Sequence, residues 1–417
     1  MVIAAVFLLA LPAAAVTFYK DVAPILQRRC ESCHRPGEIG PMPLVTFAQV
    51  RPWAKAIRES VEMRRMPPWF ADPRHGRFSN DPSLSPAEIA TIAAWVNEGS
   101  TEGIKREAPP PRKWPEGWSV SSPDLVLTMP EAFPVPANTA IEYQYLILPT
   151  QFTSDRWVRL VEIRPSNPAV VHHAVLYVRE PASEWLRGAK PGVMFAPPAT
   201  DFDAKRNARD TKADILAVYT PGAPAATWPA GMAKHIPAGS DLVLQMHFTS
   251  LKETTEERTQ IGLLPATERS THRVITLQMG VDDIVIPPGA RDFRLSRSGT
   301  MPRDALLLSM FPHMHLRGSG FEYQIVGTGG RVETLLKVDR YNFSWQLAYH
   351  LQTPRLLPAG TQLLWTGYFD NSANNPRNPN PAAEVRWGEQ SWEEMMIGFF
   401  DVAVPAEMDK RTFFIRR

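Results

Sequence analysis

The stretch Ala305–Leu316, ALLLSMFPHMHL, decides how the larger part of the chain is read. It is apolar and strand-like, and it carries His313-Met314-His315. Residues two apart in a strand share a face, so both imidazoles point the same way and are close enough to share one metal. A strand with two histidines on one face is rarely only core. Similar short runs lie to either side: LVLTM (125–129), EYQYLIL (142–148), WVRLVEIR (157–164), VVHHAVLYV (170–178), DLVLQMHFT (241–249), FEYQIVG (321–327) and TQLLWTGYF (361–369). They are separated by Pro, Gly, Asn and Asp turns, and no convincing amphipathic helix follows residue 118 apart from a short possibility near Ala182 to Arg187. A β-sandwich architecture is expected, and roughly 290 residues would make two all-β sandwiches.

Composition agrees with that reading. Proline outnumbers glycine, 41 to 24, which opposes long helices and suits short strands joined by rigid turns. At 417 residues the chain exceeds what one hydrophobic core usually organises. A net charge of +2 supplies no basic field, so a nucleic-acid partner is not expected. No apolar run reaches the roughly 20 residues that span a bilayer, so no membrane span is expected. Residues 1–16, MVIAAVFLLALPAAAV, combine an apolar stretch with Pro12 and small residues at a cleavage-like position. Residues 1–15 therefore read as a signal peptide, and the mature chain is expected to be periplasmic or secreted.

Both cysteines lie in Cys30-Glu31-Ser32-Cys33-His34, which leaves no disulfide framework elsewhere. C-x-x-C-H is the attachment signature of haem c: two thiols one helical turn apart reach the porphyrin vinyl groups, and the next residue presents an imidazole to iron. One covalent haem is expected, bound by Cys30 and Cys33, with His34 as proximal ligand. The flanks read as helical, with Val22, Ile25 and Leu26 on one face before the motif. Ser85-Pro86 starts a later helix with Ile89, Ile92, Ala93 and Val96 as its buried stripe, and Gly99 closes it. Residues 16–106 thus resemble a small all-α class I cytochrome c domain, a family whose sixth ligand is usually a methionine before the last helix. Met66 in MRRMPPWF is the best match, with Met63, Met42 and His75 as competitors. EAPPPRKWPEGW (107–118) opens a proline-rich linker extending to residue 122.

Further histidines stand in strand-like runs. His172 and His173 are adjacent, so sharing a metal would need a bulge or a strand end there. His247 alternates with the apolar Leu244, Met246 and Phe248 and so points to the opposite face. In order and spacing, VVHHAVLYV, LQMHFTS, FPHMHLRG and SWEEMMIGFF resemble the copper-binding segments of the copper type II monooxygenases, over about residues 123 to 405. That resemblance implies two all-β, jelly-roll-like sandwiches, over 123–272 and 273–417, and two copper ions, one held by His172, His173 and His247 and used for electron transfer. The other, where dioxygen is activated, is implied at His313, His315 and Met395, with adjacent Met396 as the alternative register. The peptide-amidating members carry an Arg two residues before the H-x-H and a Tyr four after the ligand Met; here those positions are Phe311 and Phe399. An apolar or aromatic small organic substrate is expected instead of a peptide carboxylate.

The whole reads as an exported haem–copper monooxygenase that hydroxylates a C–H bond with dioxygen, its electrons supplied by a redox partner protein or by ascorbate. The alternative is an electron-transfer cytochrome joined to a non-catalytic copper-binding β module.

Overall fold

The computed structural model describes residues 15–114, 117–118, 122–181, 183–196, 213–222, 225–388, 390–413 and 415. The expected signal segment lies outside them except for Ala15. The chain forms two compact units, one comprising 1–69 and 82–113, the other 70–81 and 114–417. Among the described residues no helix is long and apolar enough to cross a membrane.

The expected fold class is corrected in both of its parts. Sheet dominates the chain, and the all-α cytochrome c domain expected over 16–106 does not form as such. Helix there consists of Phe18–Val22 running into Ala23–Arg29, Phe47–Val50 running through Arg51–Trp53 into Ala54–Glu62, Pro86–Asn97, and the turn Lys105–Glu107. The physical reason lies in the connecting sequence: Pro36, Pro41 and Pro43 with Gly37 and Gly40, and then Pro67, Pro68, Pro73 and Pro82 with Gly76, keep the stretches between the helical runs from continuing them. Residues 70–81, also within that expected domain, belong to the β unit, where Ala71 bridges to Val338 and Phe78 to Leu351.

What is helical is well specified locally. Pro86–Asn97 starts from a capping box in which the Ser85 side chain accepts the Glu88 N–H and Glu88 returns the bond to the Ser85 N–H. Ile92 and Trp95 are its fully buried residues, packed with Phe18, Val22, Ile25 and Leu26, while Ile89 and Val96 lie at the margin of that core. The Trp95 indole N–H donates to the Thr101 carbonyl at 2.9 Å, so the buried ring leaves no polar atom unmatched.

The second correction concerns the β unit, which is not two independent sandwiches. Two four-stranded sheets each cover part of one nine-stranded sheet that runs through both halves. The first consists of Gln144–Pro149, Asp241–Phe248, Val171–Arg179 and Ala213–Tyr219 in spatial order. The second consists of Phe293–Thr300, Gln362–Phe369, Gly318–Val326 and Val332–Val338. The long sheet passes from the first half to the second where Met232–Ile236 pairs in parallel with His272–Val281. The boundary expected at 272/273 thus falls at the start of a strand inside a continuous sheet. Alternation places Leu146, Leu148, Leu244, Met246 and Leu176 in the first core. In the second half Gly398 is obligatory, because a Cβ there would come within 2.7 Å of the Trp365 indole nitrogen.

Candidate metal centre

His173 pairs directly with His247 across neighbouring antiparallel strands, and the pairing register slips between Val171 and His173. This irregularity is the device the adjacent histidines needed: an extra residue in one strand lets both side chains turn to the same side. Nitrogens of His172, His173 and His247 all lie within 4.8 Å of one another, and the Nδ1 atoms of His172 and His173 are 3.1 Å apart. The Nδ1 of His247 is buried without a protein partner. Such an orphaned nitrogen in a group of imidazoles is what a metal ion would satisfy. Tyr143 packs on the set, its ring centroid 4.7 Å from that of His247 and 5.6 Å from that of His173.

The H-x-H forms the end of Ala305–Met314, with His315 just beyond. Both imidazoles are buried, His315 to within 1% of complete. His313 Nδ1 lies 2.7 Å from Gln346 Oε1, which can only accept, so Nδ1 donates and Nε2 keeps its lone pair. His315 Nδ1 faces the Glu393 carbonyl at 3.3 Å, and its Nε2 is buried without a partner. Each ring thus presents Nε2 as a free donor atom, its tautomer set by a hydrogen bond on the other nitrogen. Burial pushes all five histidines below the ordinary imidazole range, His172 to about 4 and His247 to about 3, so they are neutral imidazoles at pH 7.

Strand register separates the two methionines that the sequence left open. Met314 pairs with Met396 and His313 with Ile397 across antiparallel strands, so Met396 shares the Met314 face; continued one residue before the strand begins at Met396, the same alternation puts Met395 on the histidine face. Met396 is fully buried, its sulfur beside Gly367, where a Cβ would meet it at 3.2 Å. Met395 is half-buried. Phe311 and Phe399 lie on the His313 face, with ring centroids 5.9 Å apart and Phe399 6.3 Å from the His313 ring.

Several contributors had no recognisable signal in the sequence. Glu394 is fully buried, and its carboxylate accepts the backbone N–H groups of His315 at 2.9 Å, Arg317 at 2.7 Å and Met395 at 3.2 Å. Burial raises its pKa to about 8 despite those donors and the Arg317 charge. Phe343 stacks on His172 at 4.7 Å and 27°. The Tyr341 hydroxyl donates to the Met314 carbonyl at 2.7 Å. Of the other histidines, His235 pairs with Asp155 at 2.9 Å, and His272 contacts its neighbour Thr271.

In the other unit, Cys30 closes Ala23–Arg29, and the N–H groups of Cys33 and His34 both reach the Cys30 carbonyl. The two thiols are free, and burial pushes Cys30 up to about 12 and Cys33 upward as well, unlike an activated redox dithiol. His34 Nδ1 donates to the Met42 carbonyl at 3.0 Å, which leaves Nε2 for a ligand. A Cβ on Gly40 would come within 2.6 Å of that Nδ1, so the close approach requires glycine. Met42 packs into the local core, Met63 is exposed, and Met66 is half-buried. His75 falls in the β unit. Free thiols at this spacing and an oriented imidazole fit a covalent haem, as the two sets of neutral imidazoles fit copper.

No protein-family model matches the chain, and no curated protein matches it. Among solved structures it is similar to the infectious bursal disease virus Gt strain structure, at 8% identity and a TM-score of 0.20, over 72% of this chain and 76% of that one. The Gx strain structure gives 8%, 0.18, 72% and 78% in the same order. A structure of PNGF-II gives 8% and 0.21, over 70% of this chain and 63% of that one. Likeness at this level carries no argument about fold or function.

Proposed function

We propose that the chain is an exported haem–copper monooxygenase that hydroxylates a C–H bond of a small apolar organic substrate. The observation that carries this reading is the pair of converging imidazole sets, His172, His173 and His247 beside His313 and His315, with Nε2 of His315 and Nδ1 of His247 buried and unmatched. The ligand order resembles that of the copper type II monooxygenases, and Met395 on the His313 face supplies the soft third donor that a Cu(I) site favours. When bound, haem c at Cys30, Cys33 and His34 with Met66 supplies one-electron transfer, and copper supplies dioxygen reduction and C–H hydroxylation.

The protein's own part is orientation and exclusion of water. Gln346 and the Glu393 carbonyl hold the tautomers of His313 and His315. Phe311 and Phe399 form an apolar wall beside His313, which suits an apolar or aromatic substrate and offers a carboxylate no partner. Ascorbate or a redox protein is the proposed electron donor. The test is iron and copper content per chain, measured with dioxygen uptake and product. One iron and two coppers with uptake matched to hydroxylated product is the expected result. Absence of copper after reconstitution overturns the reading, and copper without coupled turnover leaves a carrier module.

A further inference from the structure

Strand register places three successive rows of side chains on the sheet face that carries His313. Between Ala305–Met314 and Met396–Pro405, His313 lies opposite Ile397, Phe311 opposite Phe399, and Ser309 opposite Asp401. The last row extends to both sides, Ser309 pairing with His350 of Tyr349–Leu357 and Asp401 with Thr276 of His272–Val281. The register slip in Ala305–Met314 falls before Ser309, so the alternation from Ser309 to His313 is unbroken. Rows two residues apart stand about 7 Å from one another, which puts the Ser309 row about 13 Å beyond the His313 row. On the opposite face Met310, Met396 and Phe400 are fully buried, whereas on this one Phe311, Ile397 and Phe399 are half-buried and Gln278, paired with Phe399, is exposed.

The far row is polar, and its charges are already matched. Lys234 Nζ lies 3.6 Å from Asp401 Oδ1 and donates to the Thr276 hydroxyl at 2.6 Å. That hydroxyl donates to Asp401 Oδ1 at 2.5 Å, and the Trp228 indole N–H reaches Asp401 Oδ2 at 3.4 Å. Ser309 and His350 differ from these. Ser309 is only 7% exposed, yet among the described residues neither its hydroxyl nor the His350 imidazole has a hydrogen-bond partner. Burial holds His350 below the ordinary imidazole range against the pull of the Asp401 carboxylate. The ring is therefore neutral at pH 7, with one nitrogen to donate and one to accept. Two neighbouring groups left unmatched in a largely buried row suit a ligand that both donates and accepts.

We infer that Ser309 and His350 form the distal end of the substrate site and bind a neutral hydroxyl group, so that the substrate is an apolar or aromatic molecule carrying an alcohol or phenol remote from the end held at His313. The inference rests on the hydroxylase reading of the His313 site. Phe311 and Phe399, in the row between, cover the apolar body. A carboxylate meets no unmatched cation in the far row, because Lys234 is held by Asp401 and Thr276. An ammonium group meets no unmatched anion there for the same reason.

The closing experiment titrates the full-length protein calorimetrically, without dioxygen or reductant so that nothing turns over, with four probes that share one skeleton: phenylbutanol, phenylbutylamine, phenylbutyrate and butylbenzene. Phenylbutanol should bind most tightly, about 10-fold more so than butylbenzene. Ser309→Ala and His350→Phe should each shrink that preference while butylbenzene binds as before. Ser309→Ala removes a single oxygen, so the test stands even if His350→Phe does not fold. Equal affinities for phenylbutanol and butylbenzene mean that water alone occupies the Ser309 row, and overturn the inference. Tightest binding of the amine or the carboxylate also overturns it, as does an alcohol preference unaltered in Ser309→Ala. These three results leave the apolar-substrate reading intact, since butylbenzene still binds. Failure of all four probes to bind defeats that reading together with the inference, while copper content tests the metal reading separately.

Discussion

The Glu394 carboxylate accepts the backbone N–H of His315 at 2.9 Å, although neither group reaches solvent. The same carboxylate takes the N–H groups of Arg317 and Met395, so one buried side chain fixes the end of the H-x-H strand against the strand that carries the methionine. Replacing it with Gln keeps the shape but turns an N–H2 group toward donors that need an acceptor. The Glu394→Gln variant should lose about 1–3 kcal/mol of stability. It should also bind copper at His313 and His315 roughly 10-fold to 100-fold more weakly. Thermal unfolding and a competitive copper titration measure the two effects, and an unaltered value in both shows that the carboxylate positions nothing.

The two methionines should separate cleanly. Met395→Leu is expected to leave the fold intact while lowering Cu(I) affinity and stopping hydroxylation, because it removes a thioether from the histidine face. Met396→Leu nearly conserves volume in the core and should cost less than about 1.5 kcal/mol, with copper binding retained. If Met396→Leu abolishes Cu(I) binding and Met395→Leu does not, the strand alternation has been continued wrongly past Met396.

The proposed haem would be bonded through the Cys30 and Cys33 thiols. The Cys30→Ala/Cys33→Ala variant should lose the haem stain that survives denaturing electrophoresis, while copper binding to the β unit persists. A stain retained in that variant rules out these cysteines as attachment points.

Replacing Met66 with Leu removes the proposed thioether from iron. The haem potential should fall, and carbon monoxide should bind the reduced protein. An unchanged potential with no carbon monoxide adduct moves the sixth ligand to another residue.

Gly398→Ala tests the packing that holds the methionine strand. Its new Cβ would press on the Trp365 indole, which is itself fully buried and has no room to retreat. A loss of about 1–3 kcal/mol is expected, read as a lower melting temperature. A melting temperature within error of the parent means that the two sheets can part locally without cost.

Much of the site was legible because its signals are local. Period-two alternation alone puts His313 and His315 on one face, and the same rule demanded an irregularity at His172 and His173, which the register slip before His173 supplies. The Cys30-x-x-Cys33-His34 motif and the N-cap at Ser85 are likewise short-range chemistry. The all-α first domain was misjudged because helical stripes were visible while the prolines and glycines between them, which interrupt the helices, were given too little weight.

What only the tertiary structure decided is everything that depends on strands meeting from distant parts of the chain. Which of Met395 and Met396 faces the histidines follows from pairing with Met314, and no pattern within SWEEMMIGFF contains that register. The continuous nine-stranded sheet, the contact of His173 with His313 and the service of Phe343 and Gln346 all arise from long-range closure. Sequence periodicity specifies which face a side chain occupies, because the backbone repeat is local. It does not specify what lies opposite that face, because the packing of one sheet on another is set by the summed burial of residues far apart in the chain.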